Sequence, residues 1–237
     1  MKFTIVIPAH NEEKNIKICV RKVTAAVNCY DHEIIIVNDG SRDRTQEEAE
    51  KLVSGRVSLI NPPIGDNGFG KAVAAGMHAA TGDFVVPVMA DLSDEPKDIA
   101  RMIRLAQTGK FDVIVGNRFT KRSLITGYPR IKLLANRLFN HLVSVLFKVP
   151  YKDLSNAFKM YSTAFLRSIK IEAKDFDLTI ELPLKAIIKG MRITEIPNNW
   201  YGRKAGSPKW KLQKVSRVYF NRLFALYRIW RKQNTRK

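Results

Sequence analysis

Short apolar runs, each closed by a turn-forming cluster and followed by a helix-length pattern, organise the first half of this chain. Phe3-Thr-Ile-Val-Ile7 stops at Pro8, and Glu33-Ile-Ile-Ile-Val37 closes on Asn38-Asp39-Gly40-Ser41. Further runs occupy 57–60, 83–89 (carrying Pro87) and 111–115. A strand without a polar face has to be covered on both sides. Continuous apolar strands separated by helices therefore predict an α/β fold with a mostly parallel sheet flanked by helices. The intervening helices are expected from an Asn11 cap to about 27, with Glu12 and Glu13 in the first turn, and over 44–53, 70–80 and 95–106. The second half predicts helices over 130–148, 178–189 and 211–232, and a strand over 192–196.

Forty-one Lys and Arg against 22 Asp and Glu leave a net charge of +19, which calls for an anionic partner: nucleic acid, lipid headgroups or phosphorylated substrates. No nucleic-acid recognition module is visible, so nucleic acid is not expected. No run of about 18 uncharged apolar residues suggests a membrane span. A strand-like run at the N-terminus leaves no signal peptide to expect. Cys19 and Cys29 have neither metal-ligand spacing nor a disulfide framework, and a reduced, cytoplasmic setting is the simplest expectation.

In open α/β sheets ligands bind beyond the carboxyl ends of the strands. Those ends read Pro8-Ala-His-Asn-Glu12, Asn38-Asp-Gly-Ser41, Ala90-Asp-Leu-Ser-Asp94 and Gly116-Asn-Arg118. One edge would thus collect Glu12, Asp39, Asp91, Asp94 and Arg118. Any one of these clusters could be a plain turn or helix cap; together on one edge they point to a ligand.

These motifs resemble the family 2 glycosyltransferases of GT-A (Rossmann-like) fold, and the order continues through Gly68-Phe-Gly-Lys-Ala72, Asp153-Leu-Ser-Asn-Ala-Phe-Lys159 and Trp200-Tyr-Gly-Arg-Lys-Ala-Gly206. The spacing is similar to that of the dolichol-phosphate mannose synthase branch. The resemblance implies a catalytic domain over 1–210 and a basic amphipathic helix over 211–237. It implies transfer of a sugar from a UDP- or GDP-linked donor to a polyprenyl or dolichyl phosphate, inverting and metal-dependent. On the same basis Pro8, Asn11, Glu12, Asp39, Gly68, Gly70, Ala90, Asp91, Arg203 and Lys209 would bind the donor. Gly68 and Gly70 would let backbone approach the nucleotide. Arg118, Arg137 and Ser155 would bind the acceptor phosphate, and Asp91, Arg118 and Asp153 would be catalytic.

The family's Asp-x-Asp metal motif reads Met89-Ala90-Asp91 here, so the first aspartate is absent. Asp91, assisted by Ser93 or Asp94 and by substrate oxygens, would hold Mg²⁺ or Mn²⁺; a silent nucleotide-sugar-binding relative is the alternative. Pro208 stands where the family carries a serine, and His10 where it often carries an aromatic residue. A phosphate acceptor is already ionised near neutral pH. A saccharide, glycolipid or other alcohol acceptor would need a base, with Asp153, Glu181 and Asp94 as candidates.

Two helices bear on location. In the last helix, Leu212, Val215, Tyr219, Leu223, Leu226 and Trp230 form an apolar stripe opposite Lys214, Arg217, Arg228 and Arg231. That pattern fits a helix lying on an anionic membrane surface, or one packed on its own core. Over 130–148, Leu134, Leu138, Leu142 and Val145 form one stripe and Arg130, Arg137, His141, Ser144 and Lys148 another. This helix could serve a lipid phosphate and its tail, or simply divide core from water. The expectation is a peripheral enzyme at the cytoplasmic face of the membrane, its oligomeric state left open.

Overall fold

The computed structural model describes residues 1–63, 65, 67–202 and 212–235, with backbone alone for 212–215. In chain order the elements are β1 (Phe3–Ala9), α1 (Ile16–Val27), β2 (His32–Asn38), α2 (Thr45–Glu50), β3 (Val57–Ile60), α3 (Phe69–Ala79), β4 (Phe84–Pro87) and α4 (Lys97–Ala106). The second half contains β5 (Val113–Asn117), β6 (Ile125–Thr126), α5 (Arg130–Phe147), β7 (Lys159–Ser162), α6 (Thr163–Arg167), α7 (Leu178–Ile188), β8 (Ile193–Pro197), β9 (Trp200–Tyr201) and α8 (Leu212–Asn234).

Seven strands form one sheet in the order β3-β2-β1-β4-β7-β5-β8, and β6 pairs with β9 in a separate ribbon. Both faces of the sheet are buried, as the unbroken apolar runs require. Phe3, Ile5, Ile7, Ile34 and Ile36 point to one side, into a core shared with α1 and α4. Val6, Ile35 and Val37 point to the other, into a core built with α3, α5, α7 and α8. Each such side chain contributes roughly 1.5–3 kcal/mol by leaving water.

Two local readings change. Asn11 does not cap α1; it adopts a left-handed φ of 53° and its side chain accepts from the Arg42 amide at 2.7 Å, so it ties the β1 exit to the β2 exit. The helix begins later, with Asn15 at its N-cap position but without a side-chain capping bond. Strand β7, too short and too polar at Lys159 to be read from periodicity, inserts antiparallel between β4 and β5. Because it runs against its neighbours, its entry loop meets their carboxyl ends. The Asp153–Phe158 segment therefore lies at the edge where ligands are expected.

Glu33 holds the opposite edge together. Its carboxylate accepts from Lys2 Nζ at 2.8 Å, Thr4 Oγ1 at 2.7 Å, and the Thr81 amide and hydroxyl at 2.8 and 2.7 Å. Against a desolvation that opposes ionisation, these bonds bring the carboxyl down to about 2. A depressed folded value means the contribution is complete above the ordinary value of 4.5 and is lost as pH falls toward 2. Glu33→Gln should flatten the stability profile in that window, measured as urea midpoint against pH; an unchanged acid slope would contradict this.

Candidate active site

The carboxyl ends of β1, β2, β4 and β5 converge on one cavity of about 1200 Å³. Pro8, Ala9, His10 and Glu12 line it from β1, Asp39 from β2, Met89 to Asp91 with Ser93 and Asp94 from beyond β4, and Arg118 from β5. Asp39, Asp91 and Arg118 thus share one space. Ser155 also lines it and is fixed there by Asn140 of α5, whose amide donates to Ser155 Oγ at 2.7 Å and accepts from its backbone N–H at 3.0 Å.

At the acidic end, Asp39 accepts from the Gly68 amide at 2.7 Å, and Glu12 is buried, accepting from Asn15 Nδ2 at 2.6 Å. Gly68 lines the cavity at φ 139°. A Cβ at Gly68 would sit 2.3 Å from the Lys174 carbonyl oxygen, and one at Gly70 2.7 Å from that of Asp175. The glycines make room for the 173–175 segment, and Gly70 does not line the cavity.

Beyond β4, Asp91 Oδ1 accepts from the Ser93 amide at 3.0 Å and its hydroxyl at 2.6 Å. Asp94 is buried, lines the cavity, and leaves Oδ1 without a hydrogen-bond partner. Burial pushes its carboxyl up to about 7; Arg118 opposes, while Asp91 and Asp153 add to the rise. Among the described residues no cluster of three or more His, Cys, Asp or Glu side chains could hold a metal by itself.

Arg118 meets Asp153 in a buried bidentate pair, Nε to Oδ2 and Nη2 to Oδ1, both at 2.8 Å. Burial works against the guanidinium charge, but Asp153 more than restores it and raises the pKa. Asp153 does not line the cavity, and both its oxygens are engaged, so the assignment of Asp153 as a base is corrected: it holds Arg118. Glu181, the other distant candidate, is fully buried beside Lys185 at 2.5 Å and likewise lies off the cavity. Lys159 is buried beneath the same loop, its ammonium donating to the carbonyls of Asn156 and Thr179; burial brings it down to about 7.

Arg137 is the next correction. It projects outward and lies 5.8 Å from the Phe119 ring centroid, off the cavity. The cation that α5 turns inward is Lys132, lowered by burial and by Arg118 and raised by Asp91. Tyr128 and Asn136 also line the cavity from outside any of the motifs, and Lys71 and Trp200 line it from within two of them. The signal for Lys132 was a second cation close behind the Gly127-Tyr-Pro129 turn; choosing between it and Arg137 required knowing which face of α5 covers the sheet. Arg203, Pro208 and Lys209 lie outside the described residues, as do the side chains of Lys211, Leu212, Lys214 and Val215.

The amphipathic helices can now be oriented. Leu223 and Leu226 are buried, and Tyr219 and Trp230 pack on the core with them, so the described part of the α8 stripe faces inward. Outward lie Phe220 and Phe224 with Arg217, Arg228 and Arg231. On α5 most of the leucine stripe is exposed, as is the basic one: Ile131 is 77%, Leu134 61%, Leu138 61% and Val145 59% accessible. Leu138, Leu142 and Phe220 also line the cavity, so its apolar lip continues onto this surface. No helix among the described residues is long and apolar enough to cross a membrane.

The pattern of the Glycosyl transferase family 2 matches residues 4–170. The chain belongs to this family. It is a glycosyltransferase, and its sheet has the GT-A arrangement. It is 25% identical over 231 residues to a dolichol-phosphate mannosyltransferase of Pyrococcus furiosus, covering 97% of this chain and 64% of that protein. It is equally 25% identical to a dodecaprenyl-phosphate galacturonate synthase of Rhizobium johnstonii, covering 96% of this chain and 67% of the other. The chain thus spans about two thirds of the length of these relatives. Among solved structures, glucosyl-3-phosphoglycerate synthase of Mycobacterium tuberculosis, in complex with Mn²⁺, uridine diphosphate and phosphoglyceric acid, superposes with a TM-score of 0.74 at 18% identity. That match covers 95% of this chain and 78% of the other, and it supports the fold.

Removing one partner of a buried ion pair leaves the other charged and desolvated, at a cost of about 3–5 kcal/mol. Asp153→Asn should lower the urea-derived stability by that order and remove sugar transfer with it. A variant as stable as the wild type would show that the pair is not structural.

Proposed function

We propose that this glycosyltransferase moves a sugar from a UDP- or GDP-linked donor onto a polyprenyl phosphate at a membrane surface. The observation carrying the reading is the composition of one cavity, which brings together carboxylates, cations and an apolar lip leading to exposed leucines. Glu12 and Asp39 suit the N–H and O–H donors of a base and ribose, since bonds to ionised groups are the stronger ones. Pro8 and Ala90 line the same cavity. Asn11 acts there by tying the loops together.

Asp91 and Asp94 offer hard oxygen donors, and the orphaned Asp94 Oδ1 fits a cation ligand. With Met89 contributing none, substrate diphosphate oxygens and water would complete the sphere of Mg²⁺ or Mn²⁺, Ser93 orienting Asp91. Such a cation, when bound, neutralises charge developing on the leaving diphosphate. By resemblance, Arg203 and Lys209 would serve that diphosphate too.

Arg118 and Lys132 would hold the acceptor phosphate. One of its oxygens attacks the anomeric carbon; the new C–O bond forms as the bond to the diphosphate breaks, with inversion. A phosphomonoester has a second pKa of roughly 6, so this nucleophile needs no base. An alcohol acceptor would need one, and Asp94, buried at the cavity wall, is the candidate for that second reading.

The outer surface of α5 and the Phe220/Phe224 side of α8, flanked by Arg137, Arg217, Arg228 and Arg231, suit an anionic bilayer at the cytoplasmic face. A second copy would bring these arginines against themselves.

Incubating the protein with UDP- and GDP-sugars, Mn²⁺ and undecaprenyl phosphate or undecaprenol should yield product from the phosphate alone; product from the alcohol alone would select the Asp94 reading. Asp91→Ala should reduce turnover roughly 100-fold or more, and wild-type turnover would refute its assignment. Leu134→Glu/Leu138→Glu should release the protein from anionic liposomes in sedimentation while leaving its circular dichroism unchanged; undiminished pelleting would refute the docking face.

A further inference from the structure

Tyr128 stands where two cations that repel one another are held side by side. Its ring centroid lies 5.7 Å from Arg118 Cζ and 5.3 Å from Lys132 Nζ. The negative π-face attracts both charges and offsets their repulsion. The ring is itself fixed: Trp200 packs against it edge-on at 4.5 Å, and the β6–β9 pairing of Thr126 with Tyr201 anchors the chain on either side.

The hydroxyl adds the decisive chemistry. Tyr128 Oη accepts from Arg118 Nη1 at 3.4 Å and from Asn136 Nδ2. With its lone pairs engaged by two N–H donors, a phenol has its own proton left to give. Burial raises the phenol's pKa, so that proton is retained. Tyr128, Arg118, Lys132 and Asn136 all line the cavity. Guanidinium, ammonium and phenol O–H line it together, a donor set suited to a ligand presenting several acceptor oxygens. A phosphoryl dianion does so.

We propose that Tyr128 is a ligand-contacting residue of the phosphate site, its ring pairing Arg118 with Lys132 and its O–H donating to a phosphoryl oxygen of a phosphomonoester. The inference rests on the reading of the acceptor as a phosphate. Neither the composition nor the motifs pointed to this residue, whose only sequence mark is its place before Pro129 at the start of α5.

The test is calorimetric binding of n-octyl phosphate to the full chain, with UDP and GDP as the comparison ligands. Tyr128→Phe keeps the ring and should weaken octyl phosphate roughly tenfold, the effect of one hydrogen bond to a charged group. Tyr128→Leu, lacking ring and hydroxyl, should weaken it further, and the affinity for whichever nucleotide binds the wild type should stay unchanged in both. In transfer assays Tyr128→Phe should raise acceptor KM with little change in kcat. Equal octyl phosphate affinity for wild type and Tyr128→Phe would overturn the proposal, as would parallel losses of octyl phosphate and nucleotide. Tyr128-dependent binding without sugar transfer to any lipid phosphate would uphold this site and refute the acceptor reading. Transfer to lipid phosphate that is indifferent to Tyr128 would do the reverse.

Discussion

The Arg118–Asp153 pair is the interaction on which the rest depends. Taking both ions out of water is costly and is offset only by good geometry and further hydrogen bonds. Here the pair is bidentate, and the Arg118 amide donates to Asp153 as well, at 2.9 Å. The pair locks the carboxyl end of β5 to the loop entering β7. That loop carries Ser155 and Asn156, and Asn156 in turn donates to the Gly116 carbonyl at 2.7 Å. A guanidinium is thereby presented at the cavity with its charge secured and its orientation fixed, which is how preorganised electrostatic stabilisation works.

The sheet topology explains why this site is where it is. Parallel strands end together, so their turn residues share an edge; the one antiparallel insertion, β7, adds its entry loop to the same edge. Helix α5 closes over the cationic end, and its two functions separate by face: Lys132 and Asn136 look inward, while Ile131, Leu134 and Leu138 are open to solvent. Tyr219 of α8 reaches the same cavity and bonds to Thr179 at 2.7 Å, so α8 is built into the fold.

What could be read from the sequence follows from how local the signal is. The β1, β2, β4 and β5 ends announce themselves because an apolar run and its polar stop are contiguous, and Glu12, Asp39, Asp91 and Arg118, read that way, line one cavity. Strand β7 was missed because its burial depends on neighbours far along the chain and because Lys159 interrupts its apolar pattern. Periodicity gave the stripes of α5 and α8 but not their directions. On α8 the stripe containing Leu223 and Leu226 packs inward; on α5 the leucines point out, because Asn140, Val143 and Phe147 take the core face. Arg137 stands outside the cavity and Asp153 engages Arg118 for the same reason: a residue's surroundings depend on its partners, and those partners are distant in sequence.

The central claim is that one cavity receives a sugar diphosphate and a phosphate side by side. A crystal structure of the protein with a nucleoside diphosphate, Mn²⁺ and an alkyl phosphate tests it most directly. The account predicts the nucleoside against Glu12 and Asp39, the diphosphate near Asp91, and the alkyl phosphate against Arg118 and Lys132 with its chain toward Leu138. A nucleotide bound elsewhere, or an alkyl phosphate remote from Arg118, would contradict it.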